Sequence, residues 1–162
     1  MCDYCGCQAV TPISDLTSEH DTVVWMSAAT RTALRDGDLD GAAALCRSIV
    51  SVLRPHTRVE EDALFPAMAD EFPEQLDRLR AEHRAVEAPL REAIDATPSD
   101  PGWPQRVEEA LYLLREHILK EENDVFPAAL ATLGPDAWDR LEAVRAAVGR
   151  AAVGRATHTG VA

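Results

Sequence analysis

The chain has 162 residues, 46% of them apolar, enough for one domain with a core that needs no staples. Its 28 acidic residues outnumber 16 basic ones, and the formal charge of -12 argues against nucleic acid and against anionic lipid as partners. No basic segment backed by an apolar stretch opens the sequence and no apolar run is long enough to span a bilayer, so a cytoplasmic protein with no membrane partner is expected.

Residues 1–10 form a short tail with Cys2, Cys5 and Cys7. In a reducing compartment these read as thiols, metal ligands or redox groups, one sulfur short of a closed zinc site. Thr11-Pro12 starts a first helix, which runs to about Arg35 and buries Ile13, Leu16, His20, Val23, Ser27, Thr30 and Leu34. Gly37 ends it, and Asp38 is placed to cap a second helix. That helix has Ala42, Leu45, Ile49, Val52, His56, Val59 and Ala63 on one stripe. Pro55 should kink it just before the histidine, and Phe65-Pro66 should end its regular part. Pro73 opens a third helix, with Leu76, Leu79, His83, Val86, Leu90 and Ile94 facing inward. After a loop over 97–102, a fourth helix starts near Pro104 and buries Val107, Ala110, Leu114, His117, Glu121 and Val125. Gly134-Pro135 starts a shorter helix with Trp138, Leu141, Val144 and Val148 on one face.

Nothing alternates with period two over a useful length, so the fold class is all-α. The expected architecture is an antiparallel up-down four-helix bundle with a short additional C-terminal helix, over residues 11–150. Residues 151–162 are expected to be a flexible tail, with His158 given no role.

Two stretches share one pattern. His56 to Pro66 and His117 to Pro127 both read His, three residues, Glu-Glu, and finally Phe-Pro. Residues four apart are neighbours on one helix face, so His56 sits over Glu60 and His117 over Glu121. His20 and His83 occupy the seams of the other two helices, with Glu87 one turn after His83. A lone histidine on an apolar face is more often a core residue, and a lone His-Glu pair is usually a surface pair. The set is different, because several unpaired buried carboxylates would each cost several kcal/mol, more than a domain of ordinary stability can bear. Cations at their centre remove that cost. Four imidazoles and three carboxylates are too many for one tetrahedral zinc and too rich in nitrogen for magnesium or calcium. Two iron ions bridged by carboxylates use the set well, and manganese or a mixed pair remains open.

With His20 alone on the first helix, His56 and Glu60 on the second, His83 and Glu87 on the third, and His117 with Glu121 on the fourth, the chain resembles the hemerythrin-like, or HHE cation-binding, domains over about Ile13 to Pro127. The resemblance implies a non-haem di-iron centre. Glu60 and Glu121 would bridge the irons, His20 and His56 would bind one, and His83, Glu87 and His117 the other. It implies O2, NO or hydrogen peroxide as the small-molecule ligand, in binding, sensing or redox defence. A catalase-like peroxide-decomposing enzyme and an iron-storage protein are the alternatives. Glu87 stands where oxygen carriers have a histidine. A hard anionic ligand there should favour the ferric state, which weighs against simple reversible oxygen carriage.

Glu61 and Glu122 lie about 100° round their helices from the ligand glutamates and are expected on the solvent side. Asp62 and Asp124 are the candidate acceptors for imidazole N–H groups. Cys46 is expected to be a buried small hydrophobe, and Trp25 and Tyr112 to face outward.

Overall fold

A computed structural model describes residues 11–149; the cysteine tail, His158 and the C-terminal tail expected from the sequence lie outside the described residues. The described residues are helical, with no strand among them. They comprise α1 (Thr11–Arg35), α2 (Leu39–Val59), a π-helical segment π1 (Glu60–Leu64), α3 (Phe65–Met68), α4 (Pro73–Arg91), α5 (Trp103–Lys120), a second π-helical segment π2 (Glu121–Val125), α6 (Phe126–Thr132) and α7 (Pro135–Val148).

The helix boundaries follow local chemistry. Gly37 adopts φ 75°, a left-handed conformation that ends α1 at little steric cost. The Asp38 side chain then accepts a hydrogen bond from the Gly41 N–H at 2.9 Å, capping α2. Prolines 73 and 135 sit in the first turns of α4 and α7, where no intrahelical N–H is needed.

α1 packs against α2 and α5, and α4 against α2 and α5. The cross-links give the directions. Late in α1, Arg31 pairs with Glu108 early in α5, while His20 meets Glu122 just past the end of α5, so these two rods run in opposite senses. Arg47 donates to the Ala93 carbonyl and Glu61 meets His83, so α2 and α4 are also opposed. α7 lies against α2, π1 and α1.

The apolar interior is in two parts. One cluster holds Val23, Ile49, Leu53, Trp103 and Leu111. The other holds Leu16, Phe65, Leu76, Phe126 and Leu141. The four seam histidines fall between the two, for His20 follows Leu16 and precedes Val23, and the other three are flanked in the same way. A polar layer is thus enclosed by hydrocarbon above and below.

Helical structure continues through Pro55, and a departure from α geometry comes after the histidine, at π1. Two sequence expectations are corrected. Phe65-Pro66 does not end the rod: the Phe65 N–H reaches back five residues to the Glu60 carbonyl, and the chain stays helical to Met68. The widened turn gives the proline ring room where a regular turn would press it on a carbonyl. Phe126-Pro127 repeats the arrangement, with the Phe126 N–H on the Glu121 carbonyl. Ile94 is 43% exposed, because α4 stops at Arg91 and the tighter turn after it rotates Ala93 inward instead.

Trp103 is fully buried, and its indole N–H donates to the Pro89 carbonyl at 3.0 Å. Trp103→Ala is expected to cost about 3–5 kcal/mol, from the cavity it leaves and the stranded carbonyl. Urea unfolding should show a clearly lower midpoint, and an unchanged midpoint would contradict this packing account.

Candidate metal centre

Helical periodicity brings the polar layer together. His56 and Glu60 are one turn apart across the end of α2, and His117 and Glu121 repeat the pair across the end of α5. α1 and α4 contribute one imidazole each, His20 and His83, both buried. Glu60 and Glu121 are wholly buried, at 0% exposure.

These residues form two four-membered groups, each compact enough to hold an ion. One is His20, His56, Glu60 and Glu121; the other is Glu60, His83, His117 and Glu121. Both glutamates belong to both groups, with one carboxylate oxygen toward each side. Glu60 has Oε1 at 3.3 Å from His56 Nε2 and Oε2 at 3.3 Å from His83 Nε2. Glu121 has Oε2 at 3.2 Å from His20 Nε2 and Oε1 at 2.9 Å from His117 Nε2.

The groups are close without being hydrogen-bonded. Both oxygens of Glu60, both of Glu121, and Nε2 of His83 and His117 are buried with no hydrogen-bond partner. Six such orphans in one layer would be severely destabilising, since each buried unsatisfied polar atom costs about 1–3 kcal/mol. Their short separations and poor mutual alignment are what donors aimed at a shared centre look like. The donor chemistry, imidazole nitrogen with carboxylate oxygen, fits a transition-metal ion on each side.

The other ring nitrogen of each histidine is engaged, which orients the set. His20 Nδ1 lies 3.0 Å from Glu122, His56 Nδ1 2.9 Å from Glu19, His83 Nδ1 2.7 Å from Glu61 and His117 Nδ1 2.9 Å from Glu82. With Nδ1–H donating to a carboxylate, each Nε2 presents its lone pair to the layer. His20 and His56 bring these nitrogens within 3.1 Å of one another, an arrangement that needs a cation or a proton between them. Glu61 and Glu122 are therefore not solvent residues, as their angular position implied. Asp62 instead pairs with Arg58 and is exposed, as is Asp124. Glu19 and Glu82 escaped sequence reasoning altogether. Their one signal is position: each precedes a seam histidine, in Glu-His dipeptides at 19–20 and 82–83.

The arrangement repeats itself. His20 and Glu19 correspond to His83 and Glu82, and His56, Glu60 and Glu61 to His117, Glu121 and Glu122, with the same contacts made. Phe126 stacks on His20 at 5.6 Å between centroids, and Phe65 on His83 at 5.8 Å. The model of the hemerythrin HHE cation-binding domain matches residues 11–129. The chain belongs to this family. No curated protein and no solved structure shows significant similarity to it.

The HHE domain here leaves Glu87 outside both groups. Its carboxylate lies 3.6 Å from Arg91, and the residue lines a small cavity beside the four imidazoles. Leu53, Val86, Leu114 and Ile118 give that cavity largely apolar walls, and Thr57 is also among its lining residues. Its space admits about one water-sized molecule. Cys46 is buried in the apolar cluster, and burial pushes its thiol up to about 12, so it is inert. Trp25 and Tyr112 face outward. No helix among the described residues is long and apolar enough to cross a membrane.

The metal-free HHE domain holds protons where ions would sit. Burial opposes charge on His56, but the Glu60 carboxylate and the bond to Glu19 outweigh it and raise the ring to about 10. Burial likewise opposes His83, and Glu121, Glu60 and Glu61 raise it to about 12. Burial and the Glu121 charge push Glu60 up, yet His56 and His83 hold it down to about 2. Burial pushes Glu121 up, and His117, His20 and His83 hold it well below the usual carboxylate range.

The imidazole contributions are full below the ordinary histidine value of 6.5 and are lost as pH rises through about 10 and then about 12. The Glu60 contribution is full above the ordinary value of 4.5 and is lost as pH falls toward about 2. Metal-stripped protein should therefore melt at its highest temperature between these limits and progressively lower toward pH 10. Loading with ions at pH 7 should expel the protons of His56 and His83, measurable with an indicator dye. Uptake of ions without proton release would contradict this picture.

Proposed function

We propose that this HHE domain is an antiparallel four-helix bundle holding a non-haem di-iron centre that binds a small ligand, O2, NO or hydrogen peroxide. The observation that carries the reading is the pair of orphaned glutamates shared by two imidazole pairs. His20 and His56 would hold one iron, His83 and His117 the other, with Glu60 and Glu121 bridging. Iron ions held there would be a source of electrons for a small oxidising ligand.

The protein's own residues do the rest. The four Nδ1 carboxylate bonds keep the imidazoles turned inward and raise their basicity. The cavity is walled mainly by apolar side chains, and its size suits only a very small ligand, of about one or two heavy atoms. Glu87 is read as a cavity-lining residue and not as a seventh iron ligand, since it stands outside both groups.

A second reading has an observation of its own. Glu87 and Thr57 are among the lining residues, and a carboxylate and a hydroxyl turned into the cavity would be able to hold and pass the protons that peroxide decomposition moves. Oxygen evolution from added hydrogen peroxide would select that catalase-like activity. A reversible ligand-dependent visible band without peroxide consumption would select binding or sensing, and more than two irons per chain would select storage.

Ligand roles are separable by metal content. Glu121→Ala removes a member of both groups and should leave little iron, whereas His117→Ala should empty one position and leave about one iron per chain. Both variants should also melt at lower temperature, because bound metal contributes folding free energy. Full iron content in Glu121→Ala, measured on the purified protein, would remove it from the bridge.

A further inference from the structure

The repeat is broken at one place. Glu19 and Glu82 have the same task, accepting from Nδ1 of His56 and of His117, but they are held differently. Glu19 is buried and gripped by Arg145, whose Nη1 and Nη2 donate to its two oxygens at 2.8 and 3.0 Å. Arg145 is itself 4% exposed and comes from α7, beyond the residues matched to the family. Glu82 is 18% exposed, and its partner Lys120 is 47% exposed.

The two supports differ in kind. The planar guanidinium holds both carboxylate oxygens from a buried position. An ammonium on a flexible stem holds one oxygen and is readily replaced by water. An ion leaves when water or a proton takes over a ligand, and that needs the imidazole to turn. If His56 turns, Glu19 stays fixed in a buried ion pair with its oxygen still aimed at the ring, which favours return. If His117 turns, the part-exposed Glu82 is free to swing toward water and the acceptor is lost with it.

Building on the metal-centre reading, we propose that the two metal positions are unequal, the ion on His20 and His56 being retained and the ion on His83 and His117 exchanging, with Arg145 as the positioning residue that sets the difference.

The test uses the full chain loaded anaerobically with ferrous iron and challenged with excess chromophoric iron chelator. Wild type should release iron in two phases of one ion each, with rates differing on the order of tenfold or more. Arg145→Met should speed the slow phase toward the fast one and leave the fast phase as it was. Lys120→Met should move only the fast phase. If Arg145→Met does not fold, Glu19→Gln with Arg145→Met removes both charges while keeping an oxygen for His56 Nδ1–H, and carries the same expectation. A single phase in wild type, or equal acceleration of both phases by either Arg145 variant, overturns the inequality. A wild-type chain that takes up no iron overturns the metal-centre reading itself, whereas two irons leaving together overturn only the inequality.

Discussion

The structure depends on one electrostatic constraint. Two glutamates with no exposed surface stand side by side, their four oxygens unpartnered, at the level where four imidazole nitrogens converge. Carboxylates so close and so dry repel one another and lose their hydration, and neither loss is recovered by hydrogen bonds within the protein. Positive charge must enter the layer, as protons on the imidazoles or as metal ions. The two apolar clusters on either side make the constraint stricter, because they offer the layer no polar partners above or below.

The π-helical segments are how the backbone meets that constraint. Each begins at a glutamate common to both four-membered groups, Glu60 or Glu121, and closes at the phenylalanine that follows. The wider turn lets the rod pass a Phe-Pro step that would otherwise break it. It also places Phe65 and Phe126 flat against His83 and His20, covering one face of each ring. Single-turn π insertions are common at functional sites, and here one irregularity serves both the path of the chain and the shielding of the layer.

The helices and the seam histidines were legible in the sequence because a period of 3.6 residues places their side chains on a stripe that can be counted. His56 with Glu60 and His117 with Glu121 were legible for the same reason, as both members of each pair sit on one helix. What sequence reasoning missed lies between helices. Glu61 and Glu122 point away from their own stripe, and toward His83 and His20 on a neighbouring rod, so their burial depends on the packing of a second element. Glu19, Glu82 and Arg145 are the same case at longer range. Arg145 lies on a helix whose weak apolar pattern gave no reason to bury a cation. Pro66 and Ile94 were misjudged differently, through regular-helix rules applied where the backbone leaves regular geometry.

The internal repeat has a mechanical consequence. The first hairpin, α1 with α2 and π1, brings His20, His56 and Glu60; the second, α4 with α5 and π2, brings His83, His117 and Glu121. Each candidate cation would take both its imidazoles from one hairpin and one of its two carboxylates from the other. On the proposed reading, the ions are rivets driven through the seam between the halves. Force that opens the seam would tear each ion from one of its carboxylates, so a load on the fold would be felt at the centre.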